Sequence, residues 1–405
     1  MSEWKEYQLK ELTSKIGSGS TPKGGGNSYK DEGISLIRSQ NILDYKFSIN
    51  GLAYIDEVQA NVLKNVSVEE HDILLNITGD SVARCCNAPK EFLPARVNQH
   101  VAIIRSNIKL LDNNFLKYSL IDSKEELLSL SEIGGTRNAL TKGMLENFVI
   151  KLPSLPEQKA IASVLSALDN KIDLLHRQNK TLESMAETLF RQWFVEEAQD
   201  DWEEVTLSDV CHRITDGAHA SPKSIDNGWA MASVKDMETW GINYDTCRRI
   251  SKEDYDELVR ADCKALKGDI LIAKDGSYLK HVFLLEKDID VVLLSSIAML
   301  RPNGKYDPML LTIFLKMNST REEMENIVTG AVIPRIVLKD FRKFPIRLPP
   351  REYQTKALIQ ISPIFRKCWL NNSQIKKLEN LRDTLLPKLM SGEVRVNYTP
   401  EEIKQ

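Results

Sequence analysis

The 405-residue chain repeats itself, and that duplication limits its fold more than any other feature. WKEYQLKELTSKIGSGSTPK, from Trp4, returns at Trp202 as WEEVTLSDVCHRITDGAHASPK, with Trp4/Trp202, Leu9/Leu207, Leu12/Val210, Ile16/Ile214 and Gly19/Gly217 in step. HDILLNITGD (71–80) returns as GDILIAKDGS (268–277), HVAIIRSN (100–107) as SIAMLRPN (296–303), and FVIKLP (148–153) as FPIRLP (344–349). The offset drifts only from 198 to 196, so the matches share one register. Such a period is far beyond the ~20–50 residues of a solenoid repeat. The chain is a tandem duplication of a whole folding unit.

Each copy has two parts. The first is mixed: short apolar runs such as Ile34–Ile37, Asp72–Ile77 and Val101–Arg105 predict strands, and amphipathic spacing over 113–133 and 307–328 predicts helices. The second is a long helix. Ile161, Leu165, Leu168, Ile172, Leu175, Asn179, Leu182, Ala186, Leu189 and Trp193 follow alternating steps of four and three, the spacing of a coiled-coil seam. The register recurs in Ala357, Ile361, Ile364, Cys368, Asn371, Ile375, Leu378, Arg382, Leu385 and Leu389. Pro156 and Pro350 suit first helical turns, whereas Pro363 is expected to kink the second helix or delay its start.

Two seams in one register are expected to pair with each other; the alternative is that each packs on its own mixed domain. Asn179 and Asn371 would fix the alignment of a pair. A first helix of roughly 33 residues is ~50 Å long, and the acidic linker after it reaches at most ~30 Å. The second helix should therefore run back antiparallel, giving a rod with a domain at each end. The expected fold is α+β, two similar mixed domains separated by two long helices in an antiparallel coiled coil. Its segments are a mixed domain 1–153, a helix 154–195, an acidic linker 196–204, a mixed domain 205–349, a helix 350–392 and a tail 393–405.

Composition removes several function classes. The longest apolar stretch, Val291 to Leu300, is interrupted by Ser295 and Ser296 and suits a buried strand, not a membrane span. The opening MSEWKEYQLK lacks a signal-peptide core, so a cytoplasmic protein without membrane contact is expected. Six scattered cysteines make neither a disulfide framework nor a Cys-x-x-Cys metal pair, so structural thiols and no metal are expected. The net charge of −3 is misleading for nucleic-acid binding, because six acids without a base crowd Glu196 to Glu204.

The glycine-rich GSGSTPKGGG (17–26) is not a phosphate loop, since Pro22 and Gly24 stand where that motif needs Gly and Ser/Thr. What it shares with DGAHASPK (216–223) is a loop of small and polar groups: Ser18, Ser20, Thr21 and Lys23 beside His219 and Lys223. Matched loops hold Arg38, Gln40 and Asn41 against Lys235 and Asp236. They also hold Asn76, Thr78 and Arg84 against Lys274, Asp275, Tyr278 and Lys280, and Arg137, Asn138 and Lys142 against Arg335 and Lys339. Singly, each is an ordinary surface polar group. Together they form a repeated framework with different loop side chains, and Arg, Asn and Gln are the types that read guanine and adenine edges. No catalytic tetrapeptide, nucleophile elbow or dinucleotide fingerprint occurs, and Asp254, Asp256 and Glu257 read as a solvated helix face. No catalytic residue is expected.

Over nearly its whole length the chain resembles the specificity (S) subunits of type I restriction-modification systems. The resemblance rests on the duplicated SGSTPK and DGAHASPK openings, the duplicated GDIL-type strand, the LPSLPEQKAI and LPPREYQTKAL junctions into long helices, and the ending LRDTLLPKLMSGEVRV. His71 departs from the pattern where the second copy has Gly268. The resemblance implies two target recognition domains, each reading half of an interrupted, asymmetric site in double-stranded DNA. It implies helices that set the spacing and dock two methyltransferase subunits, with two restriction subunits able to join. S-adenosylmethionine, ATP and magnesium would belong to those partners, and this chain would carry no cofactor. The residues alone leave two alternatives open, a non-catalytic coiled-coil adaptor with peptide-binding domains and an enzyme of unfamiliar motif such as a fused methyltransferase.

Overall fold

The computed structural model describes residues 4–132, 138–276, 280–324, 328–329 and 335–397. The chain forms two compact units, Met1–Asp173 with Lys377–Gln405, and Leu174–Lys376. These units cut across the linear segments read from the sequence, because each takes part of both long helices.

The first unit is built on an antiparallel sheet ordered Thr13–Ser18, Val101–Ser106, Ile73–Asn76, Cys85–Asn87. A second sheet runs Ala53–Ile55, Ile34–Ile37, Ala95–Val97, Ser67–Val68, with its two central strands parallel. Strand side chains alternate between faces, and here both faces are covered. Ile73 and Leu75 enter one buried cluster with Phe115, Ile161 and Leu389, while Leu74 enters another with Leu36 and Val97. Burial on both faces makes this strand an unbroken apolar run instead of an alternating one.

The second unit repeats the plan. Its antiparallel sheet runs Cys211–Asp216, Ile297–Pro302, Ile270–Ala273, Val282–Leu284, and a second sheet runs Arg248–Ile250, Trp229–Ala232, Val291–Leu293. Ala230–Ala232 pairs parallel with Val291–Leu293, as Ser35–Ile37 does with Ala95–Val97. The apolar stretch from Val291 is therefore two strands and not one. Ser295 and Ser296 form a turn closed by Ile297 N donating to Leu294 O at 3.0 Å. All six cysteines are free and buried.

The long helices are Leu155–Arg191, 37 residues, and Arg351–Met390, 40 residues. Matched glutamines pin their starts. Gln158 takes the Asp112 N–H at 2.9 Å and donates to Leu110 O and Pro153 O. Gln354 does the same with Asp307, Lys305 and Pro349. Within the first unit Asp169 bonds Arg382 and Glu157 bonds Arg395, so the helical segments run antiparallel. Within the second, Asn371 donates to Asn179 at 2.8 Å while Gln199 meets Tyr353 at 2.7 Å, the same sense. Ile161, Leu165, Ile172, Leu175, Asn179, Ala186, Ile361, Ile364, Cys368, Asn371, Ile375 and Leu389 are buried; Leu168, Leu182, Leu189, Leu378 and Leu385 are partly so. The seam covers both partners considered above: Ile161 and Leu165 share one cluster with Leu386, Leu389 and the domain residues Phe115 and Tyr118.

Pro363 does not delay the second helix, which runs unbroken through it. Pro363 is exposed, as is Ile359 one turn earlier, so the Ile359 carbonyl that loses its amide partner faces water.

Candidate nucleic-acid interface

Strand ends build one polar edge in each unit. In the first, Ser18 pairs with Ala102 and Asn76 with Val101, which sets the ends of three strands side by side. Gly19 draws the next loop in: a Cβ there would lie 2.0 Å from the Val97 carbonyl oxygen, and at the matching Gly217 it would lie 2.2 Å from that of Leu293. Only glycine permits either approach, which is why this glycine is duplicated. The 17–26 stretch thus serves a backbone contact, and the element following it is a single 3-10 turn, Gly25–Ser28, not a phosphate-binding helix.

The approach creates a chain of polar groups without a carboxylate or lysine in it. The Thr21 hydroxyl donates to Gln99 Oε1, Gln99 Nε2 lies 3.0 Å from His100 Nε2, and His100 Nδ1 lies 2.6 Å from Thr78 Oγ1. If the amide donates to Nε2, His100 carries its proton on Nδ1 and gives it to Thr78, leaving the Thr78 hydroxyl proton to point outward. Thr78 sits opposite Ala139, and Gly79 N donates to Asn138 O at 3.3 Å. Nearby, Arg38 and Gln40 both bond the Gly51 carbonyl, Gln40 at 3.1 Å, and the Arg38 guanidinium lies 5.3 Å from the Tyr29 ring centroid.

The second unit has the same edge in ionic form. Lys274, 5 % exposed, donates to Asp216 at 2.6 Å, and His219 Nε2 stands 3.3 Å from the other Asp216 oxygen. Asp275 pairs with Arg335 at 3.0 Å across a bridge matching Thr78 and Ala139. The backbone is matched as well: Ile336 N donates to Lys274 O at 3.1 Å where Leu140 N donates to Ile77 O at 2.9 Å. Ser296, the counterpart of His100, accepts from Val234 N at 3.0 Å.

The expected readers divide into groups. Ser18, Lys23, Gln40, Asn138, Lys142, His219, Lys223, Lys235, Lys280, Arg335 and Lys339 are exposed, and Ser20, Thr21, Arg38, Thr78, Arg84 and Asp275 are half-buried. Lys142 already pairs with Glu146 at 3.4 Å. Arg137 and Tyr278 lie outside the described residues. Asn41, Asn76 and Lys274 are buried and serve as braces, a correction to their reading as surface groups. Asn41 accepts from Arg38 N and donates to Ser48 O and Asn50 O at 2.9 and 3.1 Å. Asn76 donates to Ser39 O at 2.9 Å and Ser81 Oγ at 3.1 Å.

Sequence reasoning missed Gln99, His100, Asp216 and Ser296. A signal for two of them was present, since His100 and Ser296 open the matched HVAIIRSN and SIAMLRPN segments and differ there. Among the described residues no group of three His, Cys, Asp or Glu side chains could hold a metal. The two edges offer hydrogen-bond donors, acceptors and lysine charge on a common frame.

Comparison with known proteins agrees with that frame. The family model described as the type I restriction modification DNA specificity domain matches residues 1–184 and again 199–380. The chain is 24% identical to the type I restriction enzyme MjaIX specificity subunit of Methanocaldococcus jannaschii, covering 97% of this chain and 94% of that one. It is 21% identical to the HindI specificity subunit of Haemophilus influenzae, covering 97% and 100%. The crystal structure of a type I restriction-modification S subunit from M. genitalium superposes over 98% of this chain and 97% of its own with a TM-score of 0.55 at 18% identity, a likeness of fold. The chain belongs to the family of type I restriction-modification DNA specificity domains and carries that domain twice in tandem.

Proposed function

We propose that this chain is the DNA-reading and assembly subunit of a type I restriction-modification complex, each domain reading one half of an interrupted, asymmetric duplex site. The observation that carries the reading is the pair of edges: one backbone frame, with Thr78, His100 and Gln40 in one copy where Asp275, Ser296 and Lys235 stand in the other. Two frames with unlike side chains suit two unlike half-sites. Gln40 has the amide geometry for adenine, Arg38 the fork for guanine, and carboxylates such as Asp275 accept from the cytosine amine. The exposed lysines suit phosphates, which add affinity without sequence information.

The paired helices suit a spacer that also docks two methyltransferase subunits, with restriction subunits joining those. S-adenosylmethionine, ATP and magnesium then act in the partners, and this chain contributes address and alignment, not bond making. No described helix is long and apolar enough to cross a membrane, and work on cellular DNA fits a cytoplasmic place.

The test uses the complex purified with its methyltransferase subunit. Gln40→Ala should relax base preference in one half-site only, by about 1–3 kcal/mol at the affected position, and Lys235→Ala should act only on the other half. A change in both halves from either variant would count against the assignment of one domain to one half-site.

A further inference from the structure

In the first unit the mixed domain meets the paired helices through a buried charged cluster. Asp169, on the first long helix, accepts from Lys117 Nζ at 3.0 Å and from the Tyr118 hydroxyl at 2.6 Å, both on the helix Asn113–Asp122. Arg382, on the second long helix and 8 % exposed, donates to the other Asp169 oxygen at 3.1 Å and through Nε to Asp383 at 2.9 Å. Its guanidinium carbon lies 3.6 Å from the Tyr45 ring centroid, and the Tyr45 hydroxyl donates to Asp383 at 3.2 Å. Burial works against the Arg382 charge, and the neighbouring Asp383, Tyr45 and Asp169 outweigh it; burial also pushes the Tyr45 hydroxyl up, so it remains a donor.

Tyr45 belongs to the loop that carries the readers. The same loop supplies Ser48 and Asn50, which brace Asn41, and Gly51, whose carbonyl holds Arg38 and Gln40. Arg382 therefore touches, through one ring, the loop that orients two base-reading candidates. The second copy carries its charge at other positions: Glu183, on the first long helix, accepts from Trp240 Nε1 and from Lys316 Nζ, the latter at 2.9 Å. There the corresponding positions are Ala186 for Arg382, Phe365 for Asp169, Ile313 and Phe314 for Lys117 and Tyr118, and Trp240 for Tyr45. Trp240 and Phe365 meet edge to face with centroids 5.5 Å apart. The arginine stacked on the loop's ring is therefore particular to the first unit, where Ala186 stands at the matching position of the second. A network of charge-assisted bonds adds direction to such a joint, and a buried ionic cluster is weak evidence for a role in stability.

We propose that Arg382 is a positioning residue for DNA recognition: by clamping Tyr45 against Asp169 and Asp383 it locks the first domain's reading loop to the spacer helices, so that one half-site and the gap are read together. This rests on the half-site and spacer reading above.

The test measures binding of the methyltransferase-containing complex to its selected site, to single-base variants of each half, and to the site with its gap one base pair longer or shorter. Arg382→Ala should reduce discrimination against the altered gaps and against variants of one half-site by roughly 2- to 30-fold, leaving discrimination in the other half unchanged. Arg382→Lys, which keeps charge but loses the planar fork, should fall between. Tyr45→Phe, which removes only the hydroxyl bond to Asp383 and keeps the ring, should shift the same way by less and serves if Arg382→Ala does not fold. A folded Arg382→Ala complex that is merely less stable, with unchanged gap and half-site discrimination, overturns the inference and leaves the half-site reading standing. A wild-type complex with no preferred gap would instead sink that reading itself.

Discussion

Asp72 and Asp269 are buried carboxylates, each gripped at both oxygens by an arginine on the neighbouring strand. Arg105 bonds Asp72 at 2.7 and 2.9 Å, and Arg301 bonds Asp269 at 2.9 and 2.9 Å. Removing one partner leaves an uncompensated buried charge. Arg105→Ala and Arg301→Ala should each destabilise the fold by about 3–5 kcal/mol in urea unfolding; a loss under about 1 kcal/mol would mean the pairs are replaceable surface contacts. Burial also pushes the thiols of Cys86, Cys211, Cys247 and Cys368 up to about 12. They should resist iodoacetamide at about pH 8 in the native protein and react once it is unfolded, because the thiolate is the nucleophile. Residue identity was legible at this scale, but burial was not. Asn41, Asn76 and Lys274 have the right chemistry for base contact, yet Asn76 closes a strand, Asn41 and Lys274 follow one, and all three are buried where their side chains bond neighbouring loops or strands. His100 and Ser296, which differ at equivalent strand ends, lie on the two polar edges themselves.

The long helices were the most legible elements, because an apolar period of seven sustained over many turns fits a helical seam and no strand pattern. Their partner was less so, since an apolar seam does not state what covers it. In each unit it is covered by both the antiparallel neighbour and the domain, and in the second unit a buried Asn179–Asn371 hydrogen bond joins the two helices. Asn371→Leu alone should leave the buried Asn179 Oδ1 without its donor and cost about 1–3 kcal/mol. The double change Asn179→Leu with Asn371→Leu should recover that loss in thermal or urea unfolding, while weakening the choice of register. If the single change proved neutral, the pair would not be fixing anything. One heptad added to both helices in step should lengthen the spacer by ~10 Å and widen the preferred gap by about three base pairs. An unchanged gap in such a variant would contradict the spacer role.

Duplication organises both units, and the repeat was visible in sequence because both copies keep the four-stranded antiparallel sheet, the parallel strand pair, the junction glutamines and the helix starts. How the chain divides into units was not visible. The C-terminal residues from Lys377 onward belong with the N-terminal domain, since Arg395 bonds Glu157 and lies 5.4 Å from the Trp4 ring centroid. Arg395→Ala should therefore raise hydrogen exchange in the first unit and leave residues 174–376 unaffected. The most direct test of the central claim is selection from a random duplex DNA library with this chain bound to its methyltransferase subunit. Enrichment of two unlike half-sites at one fixed gap is the predicted result. A folded, intact complex that enriches no sequence would contradict DNA reading by the duplicated edges.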